Sequence, residues 1–163
     1  MTHAPPPPPR DAADEARLRL LMTEVYEQKI VFNQVLGLQV ASFAMPAPSM
    51  AFAMRPELVG HWLYGRLHGG VISAALDVIG SFGLMIAIAE KHPGDSPEQV
   101  MQRFARFGTI DLRVDFLRQG VGSHFTASTE VTRLGSRVGS TQMRLVNEQG
   151  LLIATGAAAY MVS

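Results

Sequence analysis

From Val71 to Ala89 the chain runs for nineteen residues with Ser73, Asp77 and Ser81 as its only polar side chains. By length alone such a run can cross a bilayer. Asp77 near its middle, however, would cost roughly 3 kcal/mol on insertion scales. Gly80 and Gly83 weaken a solitary helix, and no second apolar run of this length accompanies it. No stable membrane insertion is therefore expected. The remaining solution is a helix apolar on all sides and enclosed within a domain. A helix of that kind requires a sheet large enough to wrap it.

The C-terminal third supplies such a sheet. Ile110, Leu112, Val114 and Phe116 alternate with Thr109, Asp111, Arg113 and Asp115, the period of a half-buried strand. Phe125, Ala127, Thr129 and Val131 mark a second strand. Val138 to Val146 reads as a third, followed by an Asn147 to Gly150 turn and a fourth strand from Leu151 to Val162. Upstream, Leu18, Leu21, Met22 and Val25 carry a helical period, so residues 11–35 read as one helix stopped at Gly37. Two short strands follow, at 38–44 and 49–54, and residues 55–68 read as a loop. Ser96-Pro97 with Gln99 opens a short helix to about Arg106. The expected fold class is α+β: a long buried central helix wrapped by a curved antiparallel β-sheet of about five or six strands. Residues 1–12, with five consecutive prolines, read as a disordered tail, and 13–163 as a single domain.

Composition removes several function classes. There is no cysteine, which excludes disulfide scaffolds, thiolate metal sites and a cysteine nucleophile. The five histidines show no metal-ligand spacing. Fourteen basic residues balance fourteen acidic ones, so no global field draws nucleic acid. Within 101–163, however, seven arginines face four acids. That excess reads either as a solvated sheet face or as a site for a small polyanion such as a cofactor phosphate.

The chemistry concentrates at the start of the apolar run. In His68-Gly69-Gly70 two glycines open a buried helix and let another group approach the backbone. The first N–H groups of a helix are unpaired and, with the dipole, favour a developing oxyanion. Asp77 is a carboxylate in an apolar helix, either a structural group bonded to its surroundings or a base or nucleophile. It lies eight residues after Gly69, about 12 Å along a helix. Reacting atoms need approaches of roughly 3 Å, so the two cannot serve one carbonyl within a single chain. A two-fold dimer with antiparallel central helices would bring Gly69 of one chain to Asp77 of the other, giving two sites per dimer.

The segment His68-Gly69-Gly70-Val71-Ile72-Ser73-Ala74-Ala75-Leu76-Asp77 resembles the active-site segment of hotdog-fold thioesterases of the PaaI-like type, and most closely their YigI-like branch. The resemblance extends over roughly residues 30–163. It implies a cytoplasmic acyl-CoA thioesterase, assembled as a homodimer or a dimer of dimers, with coenzyme A as part of the substrate and no further cofactor. By the same resemblance the Gly69 N–H polarises the thioester carbonyl, His68 positions the loop or the substrate sulfur, and Asp77 activates water or attacks directly. Thr109 would help hold the water, provided the start of its strand is bulged, since plain alternation turns it to the polar face. Many relatives carry Asn or Gln six residues before the motif histidine. Here that position is Trp62, and His61 beside it is the candidate replacement. Gly70, Arg133, Ser136 and Arg137 are the candidate contacts to coenzyme A, the last three at a turn that resembles the family's nucleotide-holding turn. Nine methionines, Met85 and Met101 among them, favour an adaptable channel for a medium or long acyl chain. Alternatives are a non-catalytic acyl-CoA-binding module and a hotdog hydratase or dehydratase.

Overall fold

The structure, a computed structural model, describes residues 7–163. Helix α1 (Ala12–Glu24) starts at Asp11, whose carboxylate accepts from the Asp14 N–H. The expected helix over 11–35 is interrupted. After α1 the backbone widens into a π-type turn (Val25–Lys29), leaves helical geometry at Ile30, and resumes as α2 (Val31–Leu36). The wide turn drives Tyr26 fully into the core, edge-on to Phe82, with its hydroxyl 3.1 Å from Ser81 Oγ. The Tyr26 carbonyl, freed by the distortion, accepts from buried Asn33 Nδ2 at 2.8 Å. Apolar periodicity alone does not register this break, because Val25 and Tyr26 lie on the stripe either way. Gly37 closes α2 at φ 71°, a left-handed position suited to glycine.

Strands β1 (Gln39–Ser42) and β2 (Ser49–Ala53) follow. The expected loop over 55–68 contains a small hairpin of β3 (Val59–His61) and β4 (Arg66–Leu67). The apolar run becomes α3 (Gly69–Lys91), and Ser96 opens α4 (Pro97–Phe104) with a reciprocal capping box to Gln99. Strands β5 (Gly108–Phe116), β6 (His124–Leu134), β7 (Val138–Asn147) and β8 (Leu152–Met161) complete the chain close to their expected bounds. One antiparallel sheet runs in the order β1-β2-β6-β7-β8-β5, and α3 lies across it. This is the helix wrapped by six strands that the apolar run demands. The one helix long and apolar enough to cross a membrane, among the described residues, is this core helix.

Two glycines bring helix and sheet together. A Cβ at Gly80 would fall 2.2 Å from Tyr160 Oη, and one at Gly83 would fall 2.4 Å from Thr129 Cγ2. Both Tyr160 and Thr129 are buried, so neither can step aside cheaply. Gly80→Ala is therefore expected to destabilise the fold despite alanine's better helix propensity. Overpacking of about 1–3 kcal/mol exceeds a propensity gain of at most about 1 kcal/mol. A melting midpoint lowered by roughly 2–6 °C, read by calorimetry, is the expected result. An unchanged or raised midpoint would mean that α3 has room to spare over Tyr160.

Of the expected disordered tail, residues 1–6 lie outside the described residues. The rest of it is attached to the domain. The Arg10 side chain is 4% exposed and donates to the carbonyls of Ala89, His92 and Asp95 at 2.6–2.9 Å, and to Glu15. It thereby satisfies the Ala89 carbonyl in the last turn of α3 and ties down the α3–α4 loop through the His92 and Asp95 carbonyls.

Candidate active site

α3 is not covered on all sides by its own chain. Gly69, Ser73, Ala74, Asp77, Val78 and Ser81 form a half-buried stripe along it, flanked by exposed Gly70, while the other faces are buried. The α3 residues with expected chemistry, Gly69, Gly70 and Asp77, all lie on or beside this stripe.

At its N-terminal end His68 caps the helix. Its Nδ1 accepts the Gly70 N–H at 2.9 Å, which leaves Nε2 to carry the proton of the neutral ring. The His68 carbonyl accepts from Val71 and Ile72. The Gly69 N–H has no acceptor among the described residues. The two glycines are glycines for different reasons. A Cβ at Gly70 would press to 2.9 Å from His68 Nδ1 and dislodge the cap. A Cβ at Gly69 would make only ordinary contacts of 3.5 Å to Phe116, so the fold of this chain does not require a glycine there.

At the other end of the stripe Thr109 Oγ1 donates to Asp77 Oδ1 at 2.9 Å. The bulge on which this depends is present: β5 shifts register against β8 between Thr109 and Asp111. The shift turns Thr109 toward α3 and leaves Ile110 exposed, whereas alternation alone places Ile110 inside. Asp77 Oδ2 has no hydrogen-bond partner among the described residues. Tyr160 Oη donates to the Asp77 backbone carbonyl at 2.9 Å and so props the helical turn that carries the carboxylate. Burial pushes the Tyr160 phenol up from its ordinary value and the nearby Asp77 carboxylate adds to this, so it stays a donor. Tyr26 is raised as well, chiefly by burial, with Asp77 contributing and the Ser81 hydrogen bond opposing. Sequence reasoning missed Tyr160. The available signal is the helix-facing row Ala154, Gly156, Ala158, Tyr160, three small residues and then one ring with a polar tip.

The remaining candidates are more dispersed. His61 is exposed at the end of β3, its ring 4.8 Å from that of Tyr64, and it makes no hydrogen bond through its side chain among the described residues. Trp62 is 86% exposed at the hairpin tip rather than packed. A Cβ at Gly60 would fall 2.5 Å from His68 Cα, so the hairpin passes close to the start of α3, and the His68 N–H donates to the Leu58 carbonyl at 2.8 Å. Arg133 and Arg137 are exposed, while Ser136 lines a cleft beside the C-terminal end of α3. Met85 is fully buried in the core. Among the described residues no cluster of three His, Asp or Glu is placed to hold a metal ion.

The sheet also ends abruptly. β5 is an edge strand with one side unpaired, and Ile110, Phe116, Leu117 and Val121 are exposed on it or just beyond it.

The chain is similar to several known proteins. The family model of the thioesterase superfamily matches residues 64–154. A protein of Escherichia coli strain K12 named medium/long-chain acyl-CoA thioesterase YigI is 39% identical over 142 residues, covering 87% of this chain and 92% of that protein; its Salmonella typhimurium counterpart matches equally. A crystal structure from Shewanella oneidensis, described as related to the thioesterase superfamily, superposes with a TM-score of 0.86 at 36% identity, covering 94% of this chain and all of that one. The E. coli PaaI protein of the phenylacetic acid degradation operon shares the fold at a TM-score of 0.70 and 16% identity, over 92% of this chain and 96% of that one. With its family model, its relatives and its helix-in-sheet architecture in agreement, the chain belongs to the thioesterase superfamily and has the hotdog fold.

Proposed function

We propose that this protein is an acyl-CoA thioesterase that acts as a two-fold dimer. One observation carries the proposal. An unpaired helix N-terminal N–H at Gly69 and a carboxylate at Asp77 with one oxygen free sit about 12 Å apart on a stripe of α3 that the chain leaves uncovered. Neither half can complete a reaction alone. An antiparallel partner helix brings each to the other, and the unpaired β5 edge with its exposed apolar residues offers the adjoining contact.

In this reading the thioester carbonyl oxygen accepts from the Gly69 N–H, where the helix dipole also stabilises the developing negative charge. Asp77 of the partner subunit, its Oδ1 held by Thr109, either takes a proton from the attacking water through Oδ2 or attacks the carbonyl carbon itself. The C–S bond breaks, coenzyme A leaves as the thiol, and water supplies the oxygen of the free acid. His68, with its proton on Nε2, can donate toward the leaving sulfur or orient the thioester. His61, exposed on the hairpin, is carried as a further candidate donor. Gly70 shapes the entry through the cap it preserves, and Arg133, Ser136 and Arg137 lie at the turn assigned to coenzyme A. The relatives' names favour a medium or long acyl chain, and we carry that preference over. Buried Met85 gives it no support. With this reading we carry over the expectation of a cytoplasmic enzyme.

Thiol release from a panel of acyl-CoAs of increasing chain length tests the reaction, with turnover expected to rise toward medium and long chains. Saturable binding without thiol would instead identify a binding module. Loss or gain of a double bond without thiol would identify a hydratase or dehydratase.

The dimer geometry has its own test. If residue 69 faces residue 77 across a two-fold axis, the position midway, Ser73, faces the partner's Ser73. The chain has no cysteine, so Ser73→Cys introduces a single thiol. Mild oxidation is expected to join most of the protein into a covalent dimer, whereas Glu90→Cys, exposed at the far end of α3, should join little of it. A dimer in solution whose Ser73→Cys thiols stay reactive and unjoined would discard the antiparallel pairing.

A further inference from the structure

Two buried phenols take no part in the reaction proposed above, yet both close on the turn of α3 that carries Asp77. Tyr160 reaches it from β8, where its Oη donates to the Asp77 carbonyl at 2.9 Å. Tyr26 reaches it from the π-type turn after α1. Ser81 Oγ donates its one hydrogen to the Val78 carbonyl at 2.8 Å, so in the 3.1 Å contact between Tyr26 and Ser81 the phenol is the donor. Residues 77–81 thus receive hydrogen bonds from two rings that come from opposite ends of the chain. Burial keeps both phenols protonated, and so keeps them donors.

The helix does not need these bonds for its own sake. Asp77 and Val78 lie inside α3, where each carbonyl already accepts an N–H from one turn further on. The net gain from a hydrogen bond in a core is small, because both groups give up water to make it. Phenylalanine at either position would leave no buried group without a partner. What the hydroxyls add is direction.

The strand register shows what they direct. Tyr160 and Thr109 are partners across β8 and β5. Thr109 holds the Asp77 carboxylate, and Tyr160 holds the carbonyl of the same residue. One cross-strand pair therefore grips the side chain and the main chain of Asp77 together. Local features make this possible. The register shift between Thr109 and Asp111 turns Thr109 toward α3, and the absence of a Cβ at Gly80 leaves room for the Tyr160 phenol. The π-type turn carries Tyr26 to Ser81, and such turns recur at functional sites.

Resting on the thioesterase reading above, we infer that Tyr160 and Tyr26 are positioning residues for the reaction. Both are buried, and neither touches the substrate. They fix the 77–81 turn so that Asp77 Oδ2 keeps its aim while Thr109 holds Oδ1. A displacement of about 1 Å in a reacting group can cost on the order of a hundredfold in rate, so a brace that adds little stability still carries a large kinetic effect.

Thiol-release kinetics on the full chain test the assignment. Tyr160→Phe removes only the hydroxyl; it is expected to lower kcat about tenfold and to leave KM for acyl-CoA within about twofold. Tyr26→Phe, one link further from the carboxylate, should lower kcat about threefold. A hydroxyl with a merely structural role would lower the melting midpoint and leave kcat of the folded protein unchanged. Coupling separates the two roles further. If Tyr160 acts by holding Asp77 for Thr109, the double variant Tyr160→Phe/Thr109→Val should lose much less than the product of the two single losses. Should Tyr160→Phe not fold, Tyr26→Phe takes its place in this cycle. A kcat within about twofold of wild type for Tyr160→Phe, or single losses that multiply in the double variant, overturns the assignment. A crystal structure of Tyr160→Phe reads the brace without reference to activity: the Asp77 carboxylate is expected to leave hydrogen-bond distance of Thr109 Oγ1. A carboxylate unmoved there overturns the brace even where acyl-CoA is hydrolysed. A displaced carboxylate, where the wild-type protein releases no thiol from any acyl-CoA, upholds the brace and overturns the hydrolase reading.

Discussion

Asp77→Asn is expected to lower acyl-CoA turnover by about a hundredfold to ten-thousandfold, the range associated with losing a positioned acid–base group. The amide keeps the size of the carboxylate and can still accept from Thr109 through Oδ1. It can neither take a proton from water nor form an anhydride. The backbone carbonyl of residue 77 still receives the Tyr160 hydroxyl, so the helical turn should hold. Circular dichroism, melting and sedimentation should therefore match wild type, which separates a chemical loss from a folding one. Thr109→Val, which removes the donor to Oδ1 while keeping the side chain's shape, should give a smaller loss because the carboxylate remains. Near-native turnover in Asp77→Asn would remove the carboxylate from the reaction.

Gly69→Pro is expected to reduce turnover by about a hundredfold to a thousandfold without unfolding the protein. Proline has no N–H, so the substitution deletes the proposed oxyanion donor itself. Residue 69 is the first residue of α3, where proline is tolerated because that N–H has no helical partner. His68 already adopts φ −65° and ψ 138°, the extended geometry that a residue preceding proline prefers. The space at Gly69 admits a Cβ at ordinary contact with Phe116. Gly69→Ala is the companion variant: it adds the Cβ but keeps the N–H, and it should retain much more activity than the proline. Thiol-release kinetics beside melting curves check both. A proline variant as active as the alanine variant would show that the Gly69 N–H is not the oxyanion donor.

The principal features of the site could be recognised in the sequence because they are local. An HGG segment entering an apolar run, with an acid eight residues after its first glycine, states a helix N-terminus and a carboxylate on one face. The six strands of the main sheet were equally legible, since period-two alternation is a property of neighbouring residues. Thr109 was legible only conditionally: its contact with Asp77 depends on a bulge set by how β5 pairs with β8. The break at Ile30 escaped for a related reason. It exists because Tyr26 finds Phe82 and Ser81, more than fifty residues away, and a stripe of apolar positions does not encode that contact. Arg10 offered no signal as a helix cap, because the carbonyls it reaches lie in residues 89–95.

Near-neighbour chemistry in the chain alone determined α3, α4, the six strands of the main sheet, their order along the chain, the α+β class and the residue types available for catalysis. Only tertiary structure decided which face of α3 stayed uncovered, and that Thr109 rather than Ile110 turned toward Asp77. The reason is physical. Helix and strand periods arise from bonds and sterics over a few residues, whereas burial, register and the convergence of charges depend on packing between segments far apart in the chain.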